Sequence, residues 1–323
     1  MNIHATDMIP ARQVPVSQLF DIPAPDHVTL PVRARGAHSL PVDADYLFRK
    51  DQVQLAMAFF FGPRTGEGLY IHGPFGSGKT SFVRNFLGRV HYPTLMVDWN
   101  YESEVEMLIG SKGIAMGDTL FEEGPLTLAM REGFALLINE IDRGRPSNLT
   151  AFHGILDGAP LHVKETNEVI EPHPDFRLIV TANSGGSGDR TGTYTGSVRR
   201  MDPAFMDRFY VTECNYLDPA EEVEMMMQRF PDYDASFLEK IVKFAGETRE
   251  KAADATEILS TPFSTRAMKR FLSLGMAWGI HEVPGKDMDA STLMRALRPA
   301  YAGRLDADER EAVTAVLKLV FGG

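Results

Sequence analysis

The sequence predicts an α/β fold, in which a parallel sheet is flanked by helices, followed by a second, helical domain. Between residues 45 and 217, short apolar segments alternate with segments of helical spacing, which is typical of parallel strands joined by crossover helices. After residue 217 the strand pattern stops and only helical patterns remain. A glycine-rich segment at 73–80 joins the first apolar segment to a helical one. We therefore predict an N-terminal extended arm at 1–44, an α/β domain at 45–217 and a C-terminal helical lid domain at 218–323.

The composition is that of an ordinary globular protein and excludes few function classes. Of the 323 residues, 44% are hydrophobic and 24% are charged. The single cysteine, Cys214, rules out a disulfide within the chain and suits a reducing cytoplasm. No apolar run approaches the roughly 20 residues of a membrane span, and no signal peptide is indicated, so a cytoplasmic protein is expected. A net charge of −11 argues against a general nucleic-acid binder, although an acidic protein can carry a local basic channel.

The individual elements follow from the hydrophobic patterning. Two hairpins are expected to interrupt the α/β alternation, around 117–124 and 161–170. Proline-rich residues 1–44 show no sustained period, which predicts the extended arm. The strand candidates are 69–72, 94–97, 134–138, 178–181 and 209–212. The helical patterns of the second domain are at about 219–229, 235–253, 263–280, 290–302 and 306–320.

The most informative segment matches the phosphate-loop pattern G-x-x-x-x-G-K-[ST] at every fixed position. Lys79 is expected to reach the β- and γ-phosphates and the Thr80 hydroxyl to hold Mg²⁺, with Ser81 following at the helix start. A strand leading through such a loop into a helix places the phosphates at a helix N-terminus. The alternative is a glycine-rich turn that binds nothing. The predicted nucleotide-binding residues are Gly73, Pro74, Phe75, Gly76, Ser77, Gly78, Lys79, Thr80 and Ser81, which makes 45–217 a nucleotide-binding domain.

Acidic and amide side chains follow the apolar strand at 134–138. Glu140 is our candidate for the carboxylate that polarises the attacking water. The usual residue at position 139 is an aspartate that binds the Mg²⁺ shell, whereas this chain has Asn139, an amide without charge. We expect Asp142 to compensate if the segment is extended, since alternate residues then share a face, so Thr80, Asn139 and Asp142 are the predicted metal residues. The alternative is a strand end with solvated acids.

A second polar amide, Asn183, ends the apolar segment at 178–181. On a neighbouring strand it would hydrogen-bond the attacking water or the γ-phosphate. Because Ser184, Gly185 and Gly186 follow directly, Asn183 as a turn former is the alternative.

Arginines complete the predicted catalytic set. Arg208 lies just before the last strand and, in a ring, would face the nucleotide of the next subunit; an internal salt bridge with Asp207 or another acid is the alternative. Arg199 and Arg200 are weaker candidates for this role. Ser264 is a good N-cap, and Arg266 in the first turn of that helix could reach the nucleotide, unless it is simply solvated.

This series of residues resembles that of the AAA+ ATPases and, within them, the MoxR branch. The segment at 121–126 ahead of the acidic strand end resembles an insert of that branch. A more specific resemblance is to the AAA+ subunits of cobaltochelatase (the CobS type), and it covers most of residues 14–280. The segments that carry it are 16–20, 45–48, 142–146, 170–178, 191–196 and 206–208.

The resemblance implies a P-loop AAA+ core that binds ATP and Mg²⁺ between the subunits of a homo-oligomeric ring, commonly a hexamer. It also implies a von Willebrand A-domain partner protein and a larger client complex, which in the chelatase inserts cobalt into a corrin ring. It supports Lys79, Thr80, Glu140, Asn183, Arg208 and Arg266 in the roles given above. Asn139 departs from the family aspartate, and 197–204 also differs from the family pattern.

Three functions therefore stay open at the level of sequence. The first is a ring-forming ATPase that remodels or activates a partner, either as a chelatase motor or as a MoxR-type chaperone with another client. The second is a nucleic-acid-linked NTPase motor or a subunit of a restriction-type nuclease, which the acidic balance disfavours. The third is a nucleotide-binding scaffold with little turnover, suggested by Asn139. Tyr46 and Phe48 could flank an adenine, but neither distinguishes ATP from GTP.

Overall fold

A computed structural model describes residues 10–63, 66–115, 118–189, 194, 196–254, 256–282 and 290–322. The chain forms two compact units. Unit 1 comprises the described residues within Met1–Gly73, Lys79–Gly188 and Val198–Glu213, and unit 2 those within Pro74–Gly78, Asp189–Ser197 and Cys214–Gly323. Residues 1–9 of the predicted arm, Gly117 of the first predicted hairpin, and 191–193 and 195 of the segments noted above lie outside the described residues. The boundaries at 44/45 and 217/218 stay a prediction.

Unit 1 contains all the described strands and the first eight α-helices. In chain order its elements are β1 (Pro10–Pro15), α1 (Val16–Phe20), β2 (Thr29–Arg33), α2 (Lys50–Phe61), β3 (Gly68–His72), α3 (Lys79–Arg89), β4 (Thr94–Asp98), α4 (Val105–Ile109), β5 (Gly110–Ala115), β6 (Asp118–Glu123), α5 (Pro125–Glu132), β7 (Ala135–Asn139), α6 (Pro146–Leu149), α7 (Phe152–Leu156), β8 (Leu161–Val163), β9 (Glu168–Ile170), β10 (Arg177–Ala182), α8 (Pro203–Met206) and β11 (Phe209–Glu213).

The centre of unit 1 is a five-stranded parallel sheet in the order β11-β3-β10-β7-β4. Strands β7 and β10 are buried along their whole length, and their side chains are mostly apolar, as is typical of parallel strands that are covered on both faces. The predicted fold class and all five strand candidates are confirmed, each to within one residue at either end. The hairpins β5–β6 and β8–β9 are both antiparallel, and the second matches its expected position.

The described part of the N-terminal arm is more ordered than the sequence pattern suggested. Strands β1 and β2 pair in antiparallel fashion. Between them, Phe20 of α1 is almost completely buried and stacks on Phe86 of α3, with ring centroids 5.0 Å apart. The expectation of an extended arm is therefore wrong for residues 10–33. A five-residue helix between two short strands is too short to show a hydrophobic period in the sequence.

Unit 2 is helical from Pro219 onwards. Its helices are α9 (Pro219–Arg229), α10 (Ala235–Ala253), α11 (Thr265–Ala277), α12 (Ala290–Ala300) and α13 (Ala307–Phe321). Asp234, Ser264 and Asp306 cap the N-termini of α10, α11 and α13 by accepting backbone N–H hydrogen bonds. None of the described helices combines the length and the apolarity that a bilayer crossing requires.

Candidate active site

The sheet register brings three predicted site segments to one edge of unit 1. On β3 and β10, His72 pairs with Ala182, and on β7 and β10, Ile138 pairs with Val180. Because the strands are parallel, the residues that follow each of them emerge at the same carboxyl edge. Gly73, Asn139 and Asn183 therefore meet there.

Lys79, the first residue of α3, lies within this group. It is 8% exposed, and its ammonium group donates to the Gly73 carbonyl oxygen (2.7 Å) and to Asn183 Oδ1 (3.2 Å). A buried ammonium group requires such acceptors, and phosphate oxygens would supply stronger, charge-assisted ones. The structure thus brings Lys79 and Asn183 together, while the role of Asn183 toward water or phosphate stays a prediction.

Thr80 and Asn139 are joined by a direct hydrogen bond. The Thr80 hydroxyl donates to Asn139 Oδ1 at 3.0 Å, and the Thr181 hydroxyl donates to the same oxygen at 3.3 Å. The Asn139 Nδ2 group donates to Asp98 Oδ1 at 3.0 Å. Asn139 itself is buried, and its amide makes hydrogen bonds to these three neighbours.

The segment after Asn139 is not extended, and this corrects the reasoning that placed Asp142 beside Asn139. Glu140 adopts a left-handed conformation (φ 57°), and residues Ile141–Arg143 form a 3₁₀ turn. Asp142 is fully buried, and its Oδ2 accepts the backbone N–H groups of Asn183 (2.7 Å) and Ser184 (3.1 Å). The pKa of this carboxyl is raised overall, because the effect of burial exceeds the lowering by these hydrogen bonds and by Lys79. The side chain thus fixes the end of β10, and a direct metal role for it stays a prediction.

Glu140 is half-exposed at the carboxyl edge. Its backbone N–H donates to the Thr181 hydroxyl (3.2 Å), and its Oε2 lies 2.8 Å from Arg143 Nε. The two side chains are 44% and 42% exposed, so the ion pair is weak and can open in solvent. The role of Glu140 in polarising the attacking water stays a prediction.

Arg208 lies at the opposite edge of the sheet. Its carbonyl accepts the N–H of Gly68, the first residue of β3. Its guanidinium forms a bidentate ion pair with the Asp157 carboxylate, with Nε–Oδ1 at 2.8 Å and Nη2–Oδ2 at 3.0 Å. The internal salt bridge weighed above therefore forms, although with Asp157 rather than Asp207. Arg199 lies elsewhere, since its N–H donates to the Asp142 carbonyl.

Unit 2 contains the tip of the phosphate loop and the start of α11. Gly76 has φ +75°, and a Cβ added to it would lie 2.7 Å from Ser264 and 3.6 Å from Arg266 Cβ. The Phe75 carbonyl accepts the Tyr216 hydroxyl at 2.8 Å, and the Cys214 thiol lies 3.8 Å from the Ser77 carbonyl. Arg266 is exposed in the first turn of α11, so the helix N-terminus and its arginine lie directly against the loop.

The comparisons with known proteins agree with this arrangement. The AAA domain family, dynein-related subfamily, matches residues 68–209. The aerobic cobaltochelatase subunit CobS of Sinorhizobium sp. is 31% identical over 273 residues, which cover 80% of this chain and 79% of that protein. The chain belongs to the AAA ATPases. Within them it is of the MoxR type, as its resemblance predicted.

This AAA ATPase is also similar to a second sequence relative and to a solved structure. Protein NorQ of Paracoccus denitrificans is 31% identical over 193 residues, covering 59% of this chain and 68% of NorQ. A RuvB variant of Thermotoga maritima shares the fold with a TM-score of 0.50 at 14% identity, covering 88% of this chain and 82% of RuvB. Nucleotide binding and ATP hydrolysis of the AAA type are thereby properties of this chain.

The residues of the AAA ATPase fit a bound nucleotide with its magnesium ion. Ser77 Oγ is buried and has no hydrogen-bond partner among the described residues, as expected of a loop donor that a phosphate oxygen would satisfy. Within the described parts of the chain, no three His, Cys, Asp or Glu side chains form a metal cluster. Mg²⁺ commonly binds through few protein ligands together with substrate phosphates, and the Thr80 hydroxyl beside Asn139 suits that mode.

Three residues that contact predicted site residues were not predicted from the sequence, two of them in unit 1 and one in unit 2. Asp98 and Thr181 contact Asn139, and Tyr216 contacts the phosphate loop. Asp98 could have been found, because it directly follows the strand candidate at 94–97, where a polar residue at a strand end carries the same signal as Asn139. Nothing in the local sequence marks Thr181 or Tyr216. The adenine contact proposed for Tyr46 and Phe48 stays a prediction; their rings pack on each other at 4.7 Å.

Proposed function

We propose that this AAA ATPase forms a homo-oligomeric ring, commonly a hexamer, that binds ATP and Mg²⁺ between subunits and uses hydrolysis to remodel a partner complex. The observation that carries the proposal is the placement of Arg208 relative to Lys79. Lys79 lies at the carboxyl edge of β3, whereas Arg208 is bonded to Gly68 at its amino edge. The five residues of β3 span about 17 Å, so Arg208 cannot reach the phosphates held by its own Lys79. We therefore propose that Arg208 contacts the nucleotide of a neighbouring subunit.

The chemistry of each subunit follows from the side chains at the carboxyl edge. Lys79 holds the β- and γ-phosphates, Asn183 orients the attacking water, and Glu140 polarises it after releasing Arg143. Thr80 and Asn139 would hold Mg²⁺, which would neutralise charge on the phosphates. Arg266 at the start of α11 adds a second cation beside the loop.

A mixing experiment tests the ring and the direction of the arginine. Glu140→Gln and Arg208→Ala should each lower steady-state phosphate release at least 100-fold, roughly, since each removes a transition-state contact. Mixed in equal amounts, they should recover activity, because roughly a quarter of the interfaces then join an intact Glu140 to an intact Arg208. Arg35→Ala, a change at an exposed arginine of unit 1 that has no predicted role in the site, is the matched control and should stay active.

The outcomes separate the alternatives. Failure of the mixture to recover activity, with both variants still binding nucleotide, would reject the trans role of Arg208. A wild-type protein that binds ATP and releases no phosphate would instead favour the nucleotide-binding scaffold that Asn139 suggests. Full activity of the Arg208→Ala protein would show that Arg208 has no role in hydrolysis and that its pair with Asp157 is only structural.

For the partner and client, we propose a von Willebrand A-domain protein and a larger complex. CobS is named as a subunit of aerobic cobaltochelatase, which supports a chelatase motor that serves cobalt insertion. NorQ, of the same type, supports a MoxR-type chaperone with another client. A purified partner with a von Willebrand A domain, together with a large chelatase subunit, should raise the ATPase rate, and cobalt insertion into a corrin by the mixture would select the first client. Stimulation without insertion would select the second.

A nucleic-acid-linked motor is the second candidate, and one surface feature favours it. Tyr101 is exposed, and the guanidinium carbons of Arg145 and Arg199 lie 4.4 and 4.8 Å from its ring centroid. Aromatic rings flanked by arginines suit stacked bases. ATPase activity stimulated by single-stranded DNA or RNA, with a steep salt dependence that Tyr101→Ala abolishes, would favour this function. Unchanged activity would leave the partner-remodelling proposal in place.

A further inference from the structure

Asn139 occupies a position that normally carries the charge of the magnesium site. Its amide oxygen accepts from Thr80 and Thr181, and it brings no charge of its own. An amide oxygen is a weaker acceptor than a carboxylate for the protons of a Mg²⁺-bound water. With Asn139 alone, the carboxyl edge would lack the negative charge that faces the metal in this family of sites.

The sheet order supplies a carboxylate at this point from another strand. Strand β4 pairs with β7 in parallel, and the register places Asp98 directly beside Asn139, the last residue of each strand. Asp98 Oδ1 accepts the Asn139 Nδ2 group at 3.0 Å. Asp98 and Asn139 are 41 residues apart in the sequence. They meet because β4 and β7 are neighbours in the sheet.

The hydrogen-bond chemistry fixes the direction of the Asn139 amide. A carboxylate only accepts hydrogen bonds, so Asn139 must turn its NH₂ group toward Asp98. Its oxygen then points toward the Thr80 hydroxyl, the predicted magnesium contact. An amide that donates to a carboxylate also becomes a better acceptor at its oxygen, because hydrogen bonds in a chain polarise one another.

We propose that Asp98 supplies the carboxylate of the Mg²⁺ site that position 139 lacks, acting on the metal through the Asn139 amide. The inference rests on the proposed nucleotide function and assigns Asp98 as a positioning residue for it. The aspartate of the usual motif is thus divided between two strands, with the amide contact on β7 and the charge on β4. Asp142 is a poorer source of this charge: its Oδ2 accepts from the backbone of Asn183 and Ser184, and its buried Oδ1 has no hydrogen-bond partner among the described residues, so neither oxygen engages the Asn139 amide.

The test measures the Mg²⁺ dependence of nucleotide affinity, which a merely structural role would not change. Binding of a fluorescent N-methylanthraniloyl-ADP is titrated at a series of Mg²⁺ concentrations and in EDTA. Asp98→Asn should raise the Mg²⁺ concentration needed for half of the affinity gain by about 10- to 100-fold, the effect of losing an outer-shell partner. Affinity in EDTA should stay unchanged, because no metal is then held.

A charge-swap variant keeps the test decisive if the single change alters folding. Asp98→Asn combined with Asn139→Asp returns the carboxylate to position 139 and keeps one amide and one carboxylate in the pair. This double variant should recover the Mg²⁺ dependence of the wild type. Asn139→Asp alone would place two carboxylates about 3 Å apart, the present separation of the two side chains, where like charges repel. This single variant should not show the Mg²⁺ dependence of the wild type. The effects of the two changes on the Mg²⁺ requirement should therefore be strongly non-additive.

The matched control is Glu106→Gln, which neutralises an exposed acid of α4 in the same unit. It should leave the Mg²⁺ dependence unchanged and so exclude a general effect of net charge. Equal Mg²⁺ requirements in Asp98→Asn and the wild type, or a double variant no better than the single one, would overturn the inference. A wild type whose nucleotide affinity is the same in Mg²⁺ and EDTA would instead reject the magnesium part of the proposed function.

Discussion

The Lys79 ammonium group bridges the Gly73 carbonyl and the Asn183 side-chain oxygen, at 2.7 and 3.2 Å. It thereby connects the two ends of the phosphate loop with the end of β10. In this arrangement the side chains that would bind phosphate bind one another. Phosphate oxygens of a bound nucleotide would therefore compete with Asn183 for this ammonium group.

We predict that Asn183→Asp weakens nucleotide binding more than Asn183→Ala does. An aspartate at this position would form a partly buried ion pair with Lys79 and hold it away from the phosphates, whereas alanine leaves Lys79 able to turn toward them. Asn183→Ala should change affinity by no more than about threefold and should mainly lower kcat, by about 10- to 100-fold. Equilibrium titration with nucleotide and steady-state phosphate release measure the two effects.

The control for this prediction is Lys79→Ala, which should lower affinity at least 100-fold, roughly, by removing a charge-assisted contact to two phosphates. Lys50→Ala, a change at an exposed lysine of α2, should have no effect. Equal nucleotide affinities in the Asn183→Asp and Asn183→Ala variants would contradict the proposed competition for Lys79.

A second prediction concerns the pair between Arg208 and Asp157. Hydrogen bonds from Arg208 lower the pKa of the Asp157 carboxyl, and the two side chains are 27% and 53% exposed. If Arg208 must leave Asp157 to reach a neighbouring subunit, Asp157→Asn should raise the ATPase rate of the assembled protein, by no more than about fivefold. Asp207→Asn, which removes the acid adjacent to Arg208 in sequence and leaves the Asp157 pair in place, is the matched control. A lower rate in Asp157→Asn would indicate that the pair orients Arg208 rather than competing for it.

A third prediction compares two glycines of the phosphate loop. Both Gly76 and Gly78 have positive φ, at +75° and +105°, so alanine is strained at either position by about 1–2 kcal/mol. A Cβ at position 76 would also lie 2.7 Å from Ser264, whereas none of the described atoms lies within 4 Å of a Cβ at position 78. Gly76→Ala should therefore lower the free energy of unfolding by about 1–3 kcal/mol more than Gly78→Ala, measured by urea denaturation. Equal losses would show that the loop moves away from α11 at no cost.

A fourth prediction concerns pH and His72, the last residue of β3. The pKa of His72 is lowered overall. Burial lowers it most and Lys79 lowers it too, while Glu213 beside it on β11 raises it by less. The unfolded chain then binds a proton at a higher pH, about 6.5, than the folded chain does. This contribution to stability is present above pH 6.5 and is lost as the pH falls through the lowered pKa of the folded state.

The measurement is urea denaturation between pH 5 and 8, compared with His72→Gln. The variant should show a smaller loss of stability than the wild type as the pH falls through this range. His162→Gln, at an exposed histidine of β8, is the control and should follow the wild type. Parallel curves for the wild type and His72→Gln would contradict the prediction.

Much of the fold was predictable because its signals are local. The five strands of the central sheet and the helices after Pro219 were predicted from runs of apolar residues, which reflect burial on both faces of a sheet or on one face of a helix. The hairpin and short helix at residues 10–33 were not, since they are held by contacts such as Phe20 on Phe86 that no local period reveals. The conformation of Glu140 was also missed, because a left-handed residue other than glycine depends on its surroundings.

The sequence by itself determined the phosphate loop, the order of the polar residues behind it, and the family to which they belong. Each of these features is carried by short segments of the chain, where backbone geometry and side-chain chemistry act over a few positions. Only the tertiary structure decided that Asp98 meets Asn139, that Arg208 pairs with Asp157 at the far edge, and that Asp142 fixes the end of β10. Each of these contacts joins segments 41 to 51 residues apart, and packing of the sheet rather than the chain sequence sets which strands and helices are neighbours.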